Sequence, residues 1–116
     1  MRKHSSDGSG PRLKLEIDND GEVAVVECSG WLTAEFTPTS KTNVRRLIPS
    51  SKKIVLDLGR LTRMDSSGIG AVVSLYVSAK TSRCDFELVN VNEYVRRLLG
   101  IAQLLPVFEI AGSYPV

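Results

Sequence analysis

A change of hydrophobic period between residues 53 and 80 constrains this chain more than any other feature. Lys53-Ile54-Val55-Leu56-Asp57-Leu58 is a β-type run, apolar on both faces as a central strand covered on each side would be. Ile69, Val72, Val73 and Tyr76 then recur at helical spacing, which predicts a helix from near Ser67 to about Lys80. Between the two lies Met64-Asp65-Ser66-Ser67-Gly68-Ile69-Gly70, so two hydroxyls stand where strand gives way to helix. Ser66 or Ser67 can cap that helix, its oxygen accepting from a backbone N–H with no partner inside the helix. The same helix end carries partial positive charge and tolerates a phosphate on that oxygen. The residues alone leave both roles open.

The flanking sequence extends this unit into a domain. Residues 1–11, rich in Ser, Gly and charge, read as a disordered tail, and 12–116 as a single domain. Leu13, Leu15 and Ile17 alternate with Lys14, Glu16 and Asp18, the pattern of a half-buried strand. Asn19-Asp20-Gly21 is a hairpin turn, because Asp-Gly accepts the positive φ that tight turns demand. Glu22 to Ser29 forms the partner strand, with Ala24, Val26 and Cys28 inward, and Gly30 breaks it. A helix follows within 34–48, starting near Thr37 because Pro38 fits only a first turn. Phe86 to Val91 is a strand, and Asn92 caps a helix whose apolar stripe is Val95, Leu98, Leu99 and Ala102. Pro106 stops that helix, and Val107 to Ile110 forms a short last strand. The order β-β-α-β-α-β-α-β implies an α/β fold: a mixed, mostly parallel sheet opened by a β-hairpin, with helices packed against it.

Composition removes several functions. A net charge of +2 with scattered Lys and Arg lacks the electrostatic footprint of a nucleic-acid binder, so no direct nucleic-acid contact is expected. No apolar run reaches the length of a membrane span, and the N-terminus lacks the apolar segment of a signal peptide. A cytoplasmic protein without membrane insertion is the expectation. His4, in the tail, is the sole histidine, which disfavours histidine triads and histidine metal sites. Cys28 and Cys84 make no metal spacing; Cys28 reads as a core thiol and Cys84 as a loop residue. The Gly-X-Ser-X-Gly elbow and the glycine-rich loop followed by Lys-Ser/Thr are both absent. Neither an enzyme nor a cofactor or metal is expected.

Ile54-Val55-Leu56-Asp57-Leu58 followed by Met64-Asp65-Ser66-Ser67-Gly68-Ile69-Gly70 resembles the STAS domain, and more narrowly the bacterial anti-sigma-factor antagonists. The resemblance covers roughly residues 12–110, including the hairpin and the Val95-Arg96-Arg97-Leu98-Leu99 helix. It implies that Ser66, directly after the aspartate, is a phosphate acceptor. The implied partner is an anti-sigma factor that is also a serine kinase, with a histidine-kinase-like ATPase fold. The unmodified antagonist binds it and releases the sigma factor, and phosphorylation prevents that binding. Related domains serve in stress-signalling complexes and in transport assemblies, so a non-phosphorylated interaction subunit and an anion- or lipid-binding domain are the alternatives. A homodimer is left open. One position departs from the pattern: in Gly30-Trp31-Leu32-Thr33, threonine stands where the family often has an aspartate.

Within this frame Asp65, Ser67, Asp57 and Thr33 are expected to shape the site around Ser66. Gly68, Ile69, Gly70 and Trp31 are expected to meet the partner: the glycines by admitting close backbone approach, Trp31 as an anchor. Each has a plainer role available. Asp65 and Asp57 can bond nearby backbone N–H groups, the glycines can serve turn geometry, and Trp31 can pack in the core.

Overall fold

The computed structural model describes residues 3–5, 12–104 and 106. Its sheet begins with a short edge strand, β1 (Lys3–Ser5), and the hairpin strands β2 (Leu13–Asn19) and β3 (Val23–Leu32). Helix α1 (Thr37–Arg45), a 3-10 turn at Ile48–Ser50, strand β4 (Lys53–Met64) and helix α2 (Ser66–Thr81) follow. Strand β5 (Asp85–Val89) and helix α3 (Glu93–Ile101) complete the described elements. The strands lie side by side in chain order, antiparallel from β1 to β3 and parallel from β3 to β5. β1 lies within the segment expected as a tail: the free edge of β2 offers unpaired backbone groups, and Lys3–Ser5 takes them. The expected strand at 107–110 lies outside the described residues.

The hairpin forms as its turn chemistry requires. Asn19 and Asp20 side chains accept from the N–H groups of Gly21, Glu22 and Val23, and Gly21 takes φ +99°. These bonds to charge hold the Asp20 carboxyl below its ordinary range. Pro38 sits in the first turn of α1, as its fixed φ and missing N–H dictate. Gly30, expected to end the second strand, instead lets it continue. It adopts φ +93° between two register shifts at which β4 carries the extra residue, and β3 runs on to Leu32. A Cβ there would run into the Arg12 carbonyl, so the backbones meet where only glycine fits.

The core lies on one face of the sheet. Ile54, Leu56 and Leu58 of β4 are buried with Ala24, Val26 and Cys28 of β3, Leu15 of β2, and Phe86 and Leu88 of β5. The same cluster takes in Val44 of α1, Val72, Leu75 and Ala79 of α2, and Val95 and Leu99 of α3. Val55 and Asp57 point the other way beside Val25, which is 36 % exposed. This corrects the expectation that β4 is covered on both faces: its neighbours across the ladder are Glu27 and Glu87, and no described helix shields carboxylates at that depth. The open face is laced with ion pairs instead, Lys14–Glu16 (3.3 Å), Arg60–Glu27 (3.3 Å) and Lys53–Glu87 (3.0 Å).

Both cysteines are buried and free. Cys84 is thus no exposed loop residue; its N–H donates to the Ala79 carbonyl and tucks the chain under the end of α2. Burial, reinforced by the Asp57 and Glu27 carboxylates, pushes the Cys28 thiol from 9.0 up to about 12. A raised thiol pKa means that the unfolded chain loses its proton first. Stability from this source is therefore complete below pH 9 and declines between about pH 9 and 12, at most by about 1.4 kcal/mol per pH unit. Urea unfolding across that range should show the decline in the parent and a shallower one in Cys28→Ala.

Candidate functional site

The end of β4 and the start of α2 form the functional corner of the molecule. Asp65, not a serine, is the N-cap of α2: its backbone is extended and its Oδ1 accepts from Gly68 N–H at 3.0 Å. β4 runs as far as Met64, so the next residue with a short acceptor side chain takes the cap, and Ser66 becomes the first helical residue. Neither Ser66 nor Ser67 caps. The second carboxylate oxygen of Asp65 accepts from Ala34 N–H at 3.2 Å. One side chain thereby ties the start of α2 to the loop leading into α1. Thr33 directs that same loop, its carbonyl accepting from Phe36 and Thr37 N–H at 2.8 and 3.0 Å.

Ser66 is exposed in the first turn of α2, and its hydroxyl has no hydrogen-bond partner among the described residues. Ser67 is half-buried. The two glycines that follow differ. Gly68 is buried, and a Cβ on it would strike the Leu32 carbonyl and the Met64 side chain. The close approach there is made by the chain's own β3, which corrects its expected role as an opening for a partner. Gly70 is exposed, with open space where a Cβ would stand. Ile69 is partly buried and packs on the core.

A cleft of about 620 Å³ opens beside the cap, lined by Trp31, Thr33, Glu35, Thr62, Arg63, Met64, Asp65 and Tyr94. Trp31 is half-buried, its ring flanked by the guanidiniums of Arg63 at 4.6 Å and Arg12 at 5.1 Å. Tyr94 closes one wall: its hydroxyl accepts from Met64 N–H at 3.1 Å and reaches the Met64 carbonyl at 3.3 Å. The structure therefore gathers Trp31, Thr33 and Asp65 and adds Arg63 and Tyr94. Trp31 and Arg63 are cross-strand partners, a pairing that only the bulged register reveals. Tyr94 arrives from α3, thirty residues along the chain from Met64.

Asp57 does not join this corner. Its Oδ1 accepts from Gly59 N–H at 2.9 Å and its Oδ2 from Asn90 Nδ2 at 3.0 Å, which fastens β4 to the loop after β5. The eight residues from Asp57 to Asp65, most of them extended in β4, place it about 20 Å from the cap. Its expected role beside Ser66 is corrected to a strand-to-loop tie. Among the described residues no cluster of three or more His, Cys, Asp or Glu could hold a metal, and no helix is long and apolar enough to cross a membrane.

Known proteins share this architecture. An anti-sigma F factor antagonist of Paenibacillus polymyxa is 28 % identical over 102 residues, covering 84 % of this chain and 87 % of that protein. The crystal structure of an anti-sigma factor antagonist from Mycobacterium paratuberculosis superposes with a TM-score of 0.75 at 23 % identity, covering 90 % of this chain and 86 % of that one. The antagonist SpoIIAA in its unphosphorylated form gives 0.71 at 22 %, covering 79 % and 83 %, and in its phosphorylated form 0.66 at 21 %, covering 79 % and 86 %. The profile of the STAS domain matches residues 14–114, nearly the whole of the sheet and its helices, and the chain belongs to the STAS-domain family.

Proposed function

We propose that this domain is an anti-sigma-factor antagonist, a non-catalytic binding module switched by phosphorylation of Ser66. The observation that carries the proposal is the position of the Ser66 hydroxyl: exposed, without a hydrogen-bond partner among the described residues, and held at the start of α2 by the Asp65 cap. The antagonist names of its relatives support an anti-sigma factor as the partner, and in this reading that factor is also the serine kinase. The contact surface would comprise Ser66, the open side of Gly70 and the mouth of the Trp31 cleft.

The switch is electrostatic. A phosphate adds nearly two negative charges at Ser66. The helix N-terminus tolerates them in the free domain, where water also solvates them. Burying that charge against a partner that offers no cation is costly, and the neighbouring Asp65 carboxylate adds repulsion. Phosphorylation thus removes the complex and leaves the fold. Ser66→Asp is expected to keep the parent's thermal unfolding and to weaken partner binding at least about a hundredfold, the equivalent of 2.7 kcal/mol. Ser66→Ala is expected to bind as the unmodified parent does, before and after exposure to kinase and ATP. Calorimetric titration with the purified partner measures both; equal binding by Ser66→Asp and the parent would refute the switch.

Thr33 favours a second reading, an interaction subunit that is never phosphorylated. It lines the cleft beside Asp65 and brings no carboxylate to the hydroxyl of Ser66. Intact mass after incubation with the cognate kinase and ATP separates the two. A single phosphate, lost in Ser66→Ala, supports the switch; an unchanged mass supports the second reading.

A further inference from the structure

The carboxylates of this domain are segregated. From Phe36 to Leu56 and from Ser66 to Cys84 the chain holds no Asp or Glu. Those stretches contain α1 and α2, which carry Lys41, Arg45 and Lys80, with Arg46 and Arg83 just beyond their ends. Among the described residues none of these five makes an ion pair. Arg45 donates to Ser74 Oγ at 3.0 Å, and Lys80 lies 5.7 Å from the centre of the Tyr76 ring. Cations do compensate helix C-termini, but each terminus offers only about half a negative charge. Lys80 turns toward Tyr76, which packs on Phe86 of β5, so Lys41 and Arg45, one turn apart on α1, with Arg46 and Arg83 at the helix ends, are four cations set against about one unit of dipole charge, and they leave a positive face.

That face contains a groove. Arg45, Ile48 and Pro49 form one side, and Val77, Ser78, Thr81 and Ser82 form the other, around about 340 Å³. Val77 is 54 % exposed, a large apolar side chain directed away from the core. It lies eleven residues along α2 from Ser66, about 16 Å by the helical rise, so the groove and the phosphorylation corner are separate.

We propose that this groove docks an acidic amphipathic helix of a partner protein, apolar side chains meeting Val77 and Pro49 above the buried Ile48 and carboxylates meeting Arg45 and its neighbours. A concave seat between two helix ends fits the ridge of a third helix. A bilayer is a poorer fit, because among the described residues of α1 and α2 the one aromatic near the surface, Tyr76, is part-buried and packed on Phe86. A second copy is also a poorer fit: the carboxylates clustered on the open sheet, Glu16, Glu27 and Glu87, are already paired.

Isotope-labelled protein and three probes test this. They are a synthetic helical peptide with leucines at alternating three- and four-residue spacing flanked by glutamates, the same peptide with lysines for the glutamates, and phosphatidylcholine–phosphatidylserine vesicles. The acidic peptide is expected to shift the amides of Ile48, Val77, Ser78 and Thr81, with affinity falling as salt rises. Val77→Asp and Arg45→Glu, both on the surface, are each expected to weaken it about tenfold or more, while Ser66→Asp leaves it unchanged. No shift in the groove, equal shifts from the lysine peptide, or loss of binding in Ser66→Asp overturns the proposal. Vesicle binding that Arg45→Glu abolishes, without peptide binding, assigns the face to membranes; self-association abolished by the same variant assigns it to a second copy. Either result also overturns it.

Discussion

Gly68→Ala is expected to destabilise the domain by about 2–3 kcal/mol, whereas Gly70→Ala, two residues along the same helix, is expected to stabilise it by about 1 kcal/mol. Both substitutions gain the ordinary helix-interior advantage of alanine over glycine, about 1 kcal/mol. At Gly68 that gain is overwhelmed. The new methyl would overlap the Leu32 carbonyl and stand 2.9 Å from Met64 Cγ, so α2 must move off the end of β3. Overpacking of this kind typically costs 1–3 kcal/mol, sometimes more, and the obstacle here is backbone. The Asp65 cap, which depends on Gly68 N–H, strains with it. At Gly70 nothing stands within 4 Å of the added methyl. Urea unfolding should separate the pair by 3 kcal/mol or more. If Gly70 is the opening through which a partner reaches the helix, its alanine variant is at once more stable and a weaker binder. A Gly70→Ala protein that is stabilised and binds fully would remove Gly70 from the contact surface.

Asn92→Ala is expected to cost about 2–4 kcal/mol, a large effect for a half-buried polar residue. Its Oδ1 accepts from Val95 N–H at 2.8 Å, the cap of α3. Its Nδ2 faces the carbonyls of Leu61 at 2.8 Å, Gly59 at 3.2 Å and Leu58 at 3.3 Å. Loss of the cap alone is worth about 0.5–2 kcal/mol, and the part-buried carbonyls lose their donor as well. Asn92→Asp makes the apportionment measurable, since it keeps the cap acceptor but turns an oxygen toward the three carbonyls. It should therefore be nearly as damaging as alanine, while Asn92→Ser, able to cap, should recover only part of the loss. A loss in Asn92→Asp much smaller than in Asn92→Ala would show that the carbonyl bonds contribute little. Because Tyr94 is the second residue of α3 and holds Met64, damage at Asn92 is also expected to loosen the Asp65 corner.

The features legible in the sequence are those decided within a few residues. The Asn19-Asp20-Gly21 turn, the start of α1 at Thr37 before Pro38, the Asn92 cap and the inward set Ala24, Val26 and Cys28 follow from local chemistry, and the structure has all of them. The STAS fold was legible by resemblance, through the strand and the Asp-Ser-Ser-Gly corner that follows it. Which corner residue caps was not, since Asp and Ser rank alike as caps and the choice depends on where β4 ends. Gly30 read as a break because its partner, the Arg12 carbonyl, is distant in sequence and only the folded sheet brings it there. Asp57 looked like a neighbour of Ser66 because sequence proximity conceals how far an extended strand travels. Arg63 and Tyr94 carried no signal at all; one needs a bulged register and the other a returning helix.

The Trp31 setting has a practical consequence. This is the chain's single tryptophan, and its indole lies between two guanidiniums at the mouth of the cleft beside Asp65. Any protein that settles over that corner must displace an arginine from the ring or exclude water from its exposed edge. Either event changes the polarity around the indole, so intrinsic emission excited in the tryptophan band becomes a label-free gauge of occupancy. The domain arrives with its own optical probe at the place where its partner is expected to land.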